Sequence, residues 1–207
     1  PESWKRQFVY VIWDEQSSKS VFPIEYIKSK EPHKRENIDI LDDIKIYRQR
    51  VPGHEYQLGI DPSEGAEDLS VIKVIDKNTG EEVASYASRI QPDLLAFKVD
   101  KVGRNFYNAK AVLEINGIGL ATLTKLKELN YENIYVREEF DKQTKVMTKK
   151  LGWRTTHASK PLLVFHFQEL LGAGFPKIRD GMTTDEMRSF VYSEEATKKG
   201  MGAERGF

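Results

Sequence analysis

The first chemical signal in this sequence is a group of carboxylates. The stretch YQLGIDPSEGAEDLSVIKV, residues 56–74, runs as an apolar strand into Asp61, turns through Gly65, and reaches Asp68 just before a second strand begins. Further on, AVLEIN closes a nearly continuous apolar strand on Glu114. If the strands ending at Asp61 and Glu114 are parallel neighbours, both acids emerge at one end of a sheet, where open α/β sheets place their ligands. Two carboxylates a few Å apart repel each other unless a cation lies between them. A hard dication takes oxygen donors, and Mg²⁺ typically uses one or two carboxylates while keeping waters and phosphate oxygens. Two such ions about 3.5–4 Å apart support in-line displacement at a phosphodiester. Strands also end in polar turns as a matter of course, so spacing alone does not decide for a metal. Asp68 reads first as a turn residue ahead of a strand, and second as an acid able to fold back on Asp61.

A basic stretch, residues 137–158, carries Lys142, Lys145, Lys149, Lys150 and Arg154. It is expected to be an extended hairpin or a loop. Lysines in such a segment neutralise phosphates and release counterions, giving salt-dependent affinity without sequence preference. Trp153 within it suits stacking on a base or packing in the core. Lys160, in ASKP, lies beside a helix start where it would neutralise a phosphate, or is simply an exposed lysine in a capping turn. His157 reads as a surface or packing residue, and His166, in an apolar helical stretch, as a core histidine. The GIG at 117–119 is too short for a phosphate loop, and there is no GxxxxGK[ST], so P-loop ATPase chemistry is absent from this chain.

The elements that must position these residues follow from hydrophobic period. YQLGID, LSVIKVID and EEVASYASRI alternate as strands joined by short turns, which predicts an antiparallel meander. PDLLAFKVDKVGRNF shifts to helical spacing, with Leu94, Leu95, Phe97, Val99 and Val102 apolar and Pro92 in the first turn. AKAVLEIN is the next strand. GIGLATLTKLKELN is a helix with Leu120, Leu123, Leu126 and Leu129 apolar. NIYVRE is a strand parallel to the previous one if that helix is a crossover. ASKPLLVFHFQELLGAG reads as a helix capped by Ser159, and TTDEMRSFVY as a short helix opening at Thr184. The expected result is an α/β fold, a mixed sheet of three antiparallel strands followed by parallel ones, with helices on both faces.

Composition narrows the function classes. Lys plus Arg and Asp plus Glu number 32 each, so any nucleic-acid surface must be a local basic patch. No cysteine is present, which excludes disulfides, a thiolate zinc site and a cysteine nucleophile. No apolar run approaches the length of a membrane span, so no membrane association is expected. Residues 1–50 are charged with scattered apolar anchors. They read as a linker or edge segment from a preceding domain, or as a peripheral part of a single one. Residues 51–207 read as the main domain.

Taken together, LGIDPSEGAEDLSVIKV, AVLEINGIG and LGWRTTHASKPLLV resemble the nuclease domain of the large terminase subunit of tailed bacteriophages, over roughly residues 55–207. The resemblance implies an RNase H-like fold and an endonuclease that cuts concatemeric double-stranded DNA during genome packaging, using two Mg²⁺ or Mn²⁺ ions. It matches Asp61 to the first metal-binding acid, Glu114 to the second, and Asp68 to an assisting acid. The family's third acid opens a C-terminal helix and would lie just beyond Phe207, so the chain is expected to be truncated before it. Glu204, Glu194 and Asp185 are substitutes that no motif favours. The implied partners are DNA, a terminase ATPase domain in the same full-length chain, the portal and the small terminase subunit, in the host bacterial cytoplasm. Two other readings are a related RNase H-like nuclease, such as a junction resolvase or integrase-like enzyme, and a non-catalytic DNA-binding module.

Overall fold

In the computed structural model of the protein, residues 20–30, 35–141, 144–192 and 201–203 are described. The chain divides into two compact units, Glu36–Lys160 and Pro1–Arg35 with Pro161–Phe207. No described helix is long and apolar enough to cross a membrane.

The larger unit is built on a six-stranded sheet. Its strands are β1 (Asp39–Leu41), β2 (Ile44–Ile46), β3 (Tyr56–Asp61), β4 (Ser70–Asp76), β5 (Glu81–Ser88) and β6 (Lys110–Leu113), in the spatial order β1-β2-β5-β4-β3-β6. All neighbours are antiparallel except β3 and β6, which are parallel. The expected meander and the parallel strand beside it are therefore present. Period-2 alternation decides which face is which. Tyr56, Leu58 and Ile60 of β3 are buried, and so are Ile72 and Val74 of β4. A one-residue slip of β3 would drive Asp61 into the core and expose Leu58 and Ile60, losing about 1.5–3 kcal/mol for each apolar side chain.

Two helices complete this core. Helix α2 (Pro92–Asn105) carries the chain from β5 to β6, with Pro92 in its first turn and Leu95, Ala96, Val99 and Val102 buried. Helix α3 (Gly119–Glu128) follows β6 and buries Leu123 and Leu126. They join the apolar residues of β3, β4, β5 and β6 in one cluster, and Thr122 Oγ1 donates to the Pro92 carbonyl at 2.9 Å to tie them together. Of the leucines spaced by three along α3, Leu120 is exposed. Steps of three residues rotate about 60° short of a full turn, so such a series drifts off any one face. Leu94 and Phe97 of α2 are exposed for a similar reason.

Beyond β6 the sheet continues through isolated parallel bridges, Ala111 to Ile134 and Glu114 to Trp153. Between them the chain makes the antiparallel hairpin β7 (Val136–Asp141) and β8 (Val146–Leu151). The basic stretch is thus a hairpin, one of the two expected forms.

Within residues 1–50, the part from Glu36 onward belongs to the larger unit. Ile44 and Ile46 are buried in the main core, and β2 pairs with β5 through Ile46 and Ala84. Tyr47 Oη and Ser85 Oγ lie 2.8 Å apart across the same junction. Without β2, the ladder groups of β5 would form an open edge.

The smaller unit contains α1 (Ile24–Lys30), α4 (Ser159–Gly172, nearly all in this unit), α5 (Gly181–Ser189), β9 (Phe190–Tyr192) and β10 (Met201–Ala203). Val21, Phe22, Ile27, Leu171, Ile178 and Met187 form its core, with Phe22 edge-on to Phe167 at 5.5 Å. Three local expectations are corrected. The cap of α4 is Thr156 rather than Ser159. Thr156 Oγ1 accepts from the Ser159 N–H at 3.0 Å and Ser159 Oγ accepts from the Thr156 N–H at 2.8 Å, a reciprocal capping box. The cap of α5 is Asp180, which accepts from the Met182 N–H, and Thr184 is buried inside the helix. His166 is not a core residue. Its side chain is exposed and pairs with Glu169 at 3.0 Å, because α4 leaves Leu162, Leu163 and Phe165 exposed as well.

Candidate metal centre

Parallel pairing in β3 and β6 runs from Gln57–Lys110 to Ile60–Leu113. Asp61 and Glu114 are the next residues on the two chains. The Glu114 N–H donates to the Ile60 carbonyl at 2.9 Å, which carries the ladder up to the acids. Neighbouring strands lie about 4.8 Å apart, so the two carboxylates leave adjacent backbones. Because Ile60 and Leu113 face the core, both acids face away from it.

They share a cleft of about 250 Å³ lined by Gly59, Ile60, Asp61, Val71, Lys73, Val112, Glu114 and Trp153. Asp61 is exposed and Glu114 half-buried. Glu114 is held from both sides. β3 lies on one side, and on the other Trp153 donates its N–H to the Leu113 carbonyl at 2.7 Å and accepts from the Ile115 N–H at 2.9 Å. The Trp153 ring is fixed by its indole N–H donating to Thr155 Oγ1 at 3.2 Å. The loop leaving β6 is tied down by Asn116, whose amide donates to the Thr155 carbonyl at 2.6 Å. Helix α3 begins so close behind that a Cβ on Gly119 would lie 2.0 Å from the Glu114 carbonyl oxygen.

The structure brings together Asp61 and Glu114, and not Asp68 of the turn that follows the first strand. Asp68 is exposed in the β3–β4 loop and does not line the cleft. That loop is organised by Ser63, whose hydroxyl donates to the Asp68 carbonyl at 2.8 Å, while its N–H donates to Ser70 Oγ at 3.0 Å. Lys160 is half-buried in the first turn of α4 and is not among the lining residues. Lys145, Lys149, Lys150 and Arg154 are exposed on the hairpin and just after it. Lys142 lies outside the described residues, as do Glu194 and Glu204. Asp185 sits on α5 in the smaller unit, in an ion pair with Arg188 at 2.6 Å.

Lys73 and Gly59 are cleft residues that sequence reasoning does not single out. Their signal is present in the alternation of SVIKVID, which puts Val71 and Lys73 on the face opposite Ile72 and Val74. Hairpin pairing then sets Val71 against Asp61 and Lys73 against Gly59. Lys73 Nζ is 3.1 Å from Glu82 Oε1, and the Glu82 side chain is 4% exposed.

Among the described residues, no group of three or more His, Cys, Asp or Glu is arranged to hold a metal ion. The donor set present is two carboxylates lining one cleft. That set fits one hard dication completing its shell with water and substrate oxygens. A second ion needs oxygen donors that the described residues do not bring to this cleft.

No family model and no curated protein matches the chain. Solved structures do. The large terminase nuclease from thermophilic phage G20c with bound magnesium matches at a TM-score of 0.68 and 19% identity, over 91% of this chain and 90% of that one. The same nuclease with bound cobalt matches at 0.68 and 18%, over 91% and 90%. The large terminase nuclease domain of Thermus phage P74-26 matches at 0.62 and 18%, over 88% and 87%. At such identities the likeness is one of architecture: the chain has the RNase H-like α/β fold of phage large terminase nuclease domains.

Proposed function

We propose that this chain is a metal-dependent DNA endonuclease domain of a viral packaging terminase, cutting concatemeric double-stranded DNA by metal-ion-assisted hydrolysis, in which the second ion of a two-metal mechanism would need donors from outside the described residues. The observation that carries the reading is the placement of Asp61 and Glu114 at adjoining ends of parallel strands, facing one cleft, on a fold shared with terminase nucleases. Asp61 and Glu114 would hold a divalent ion, with Asp68 a candidate to assist from the loop. Such an ion supplies Lewis acidity toward the phosphodiester and makes water nucleophilic near neutral pH. Val71, Val112 and Trp153 wall the cleft with apolar surface, which lowers the local dielectric and strengthens charge interactions inside it. The ATPase domain, portal and small terminase subunit remain partners by resemblance.

The G20c nuclease is described with bound magnesium and with bound cobalt, which favours a divalent-ion site here. The test is anomalous diffraction from Mn²⁺-soaked crystals, paired with nicking of supercoiled plasmid in Mn²⁺. An ion between Asp61 and Glu114, and nicking lost in Asp61→Ala, is the expected result. DNA binding with no ion at these acids would instead favour a DNA-gripping module. Preference for four-way junctions over linear duplex would favour a resolvase.

A further inference from the structure

We propose that Gly59 and Lys73 form a subsite for a nucleic-acid backbone phosphate next to the one at the acids. This rests on the nuclease reading of the cleft. Gly59 lies in the interior of β3, where glycine is less favourable than alanine. Its backbone is not in the left-handed region, and a Cβ built on it would meet no atom within 4 Å. Neither conformation nor packing therefore requires glycine there. What its hydrogen side chain does is leave the cleft floor open, and glycine in a strand marks a place where a ligand approaches the backbone closely.

Directly across the register from that opening is Lys73. Among the described residues that line the cleft it is the one cation. Its side chain is 25% exposed and is oriented by Glu82, which is almost fully buried. The ammonium is thus held in place beside Glu82, and no side chain at Gly59 stands in front of it. Gly59 precedes Asp61 by two residues, about 7 Å along the strand, on the scale of one nucleotide step. A strand with its scissile phosphate at Asp61 and Glu114 would carry a flanking phosphate over Gly59, within the field of Lys73. Direct contact between a lysine and a phosphate is sequence-independent, as a nuclease with weak sequence preference needs.

The test uses Gly59→Ala, Gly59→Val, Lys73→Met, Lys73→Arg and the double variant Lys73→Met with Glu82→Gln. The double variant removes the buried carboxylate that Lys73→Met would strand. Each is assayed for Mn²⁺ binding, thermal stability, cleavage of a fluorescein-labelled duplex, and duplex affinity in Ca²⁺ across a salt series. The expected result is a KM raised about ten- to a hundredfold in Gly59→Val and Lys73→Met, the range for loss of a charged hydrogen bond. The salt slope should fall in Lys73→Met, by less than the full unit of an unpaired lysine because Glu82 shares the ammonium, and Lys73→Arg should restore it. Mn²⁺ binding should be unchanged, and Gly59→Ala should melt no lower than the wild type. If KM and salt slope stay at wild-type values while Asp61→Ala still stops cleavage, the subsite is overturned and the nuclease reading stands. If the wild type neither cuts nor binds the duplex, both are overturned.

Discussion

Asp61 and Glu114 stand one residue past the last paired positions of adjacent parallel strands, Ile60 and Leu113, with the Glu114 N–H bonded to the Ile60 carbonyl at 2.9 Å. The relationship is set by backbone pairing rather than by side-chain contact. It therefore brings two carboxylates onto one face whether or not anything lies between them.

That arrangement predicts a metal-dependent stability. Melts of the wild type, Asp61→Asn and Glu114→Gln in EDTA set the ion-free baseline of each. With Mn²⁺ or Mg²⁺, the wild type should gain stability by mass action, about 2.7 kcal/mol at a hundredfold excess over Kd. Asp61→Asn and Glu114→Gln should gain little. Thermal melts in EDTA and in Mn²⁺ read this directly. A variant that rises as far as the wild type would remove that acid from the ion's ligands.

A second prediction concerns Gly119. Alanine normally stabilises a helix over glycine by about 1 kcal/mol. Here its Cβ would lie 2.0 Å from the Glu114 carbonyl oxygen and 2.9 Å from the carbonyl carbon. Backbone atoms cannot rotate away, so either α3 or the end of β6 must move. Gly119→Ala should cost about 1–3 kcal/mol, the usual range for overpacking, and should weaken Mn²⁺ binding because the displaced residue is Glu114. Urea denaturation and calorimetric titration with Mn²⁺ check the two effects separately.

Much of this geometry is legible in the sequence, and the reason is physical. YQLGID is a strict period-2 segment, so hydrophobicity alone fixes that Asp61 turns outward; in SVIKVID, where Val71 and Ile75 turn outward and Ser70 and Asp76 are buried, the register against β3 decides. The long apolar spacing of α2 identifies the crossover that makes β6 parallel to β3. What is not legible depends on pairing between distant segments. IKI at 44–46 is too short to stand out within a charged stretch, and only its partner Ala84 makes it a sheet strand. Lys73 looks like a solvated strand lysine until hairpin register sets it against Gly59 and Glu82 is found buried beside it. The caps of α4 and α5 lie at Thr156 and Asp180 because several serines, threonines and aspartates compete near each start, and loop geometry chooses among them.

A third prediction is a pH dependence seated at the opposite end of β4. Asp76 is fully buried and accepts from His54 Nδ1–H at 2.8 Å and from the Asn78 N–H at 2.9 Å. Burial pushes its carboxyl up, but the hydrogen bonds from His54 and Asn78 and the His54 charge outweigh it, and the net direction is below the ordinary value of 3.8. A depressed folded pKa gives stability that is present above the unfolded value and lost as pH falls through the folded one. The protein should therefore lose stability below about pH 4, and Asp76→Asn should flatten that part of the profile. His54→Ala should cost about 1–3 kcal/mol near neutral pH by removing a partner from a buried carboxylate. Melts across an acid series provide the measurement.

The hairpin supplies the last prediction, which separates its lysines. Lys145 and Lys149 are exposed, and among the described residues neither is in an ion pair. Lys150 is different: its ammonium is 3.2 Å from Glu139 Oε2, which Arg137 also approaches at 3.2 Å. The hydrogen bond from Lys150, with help from Arg137, holds the Glu139 carboxyl below the usual range even though burial opposes it. A phosphate would have to compete with that carboxylate for Lys150, whereas it meets Lys145 and Lys149 with only water to displace. If the hairpin grips DNA, each freely engaged lysine accounts for about 0.9 of the slope of log K against log salt. Lys149→Ala and Lys145→Ala should each reduce the slope by about that much, and Lys150→Ala by clearly less. Duplex binding by fluorescence anisotropy over a salt series tests it. Equal slopes in all three variants and the wild type would take the hairpin out of the DNA interface.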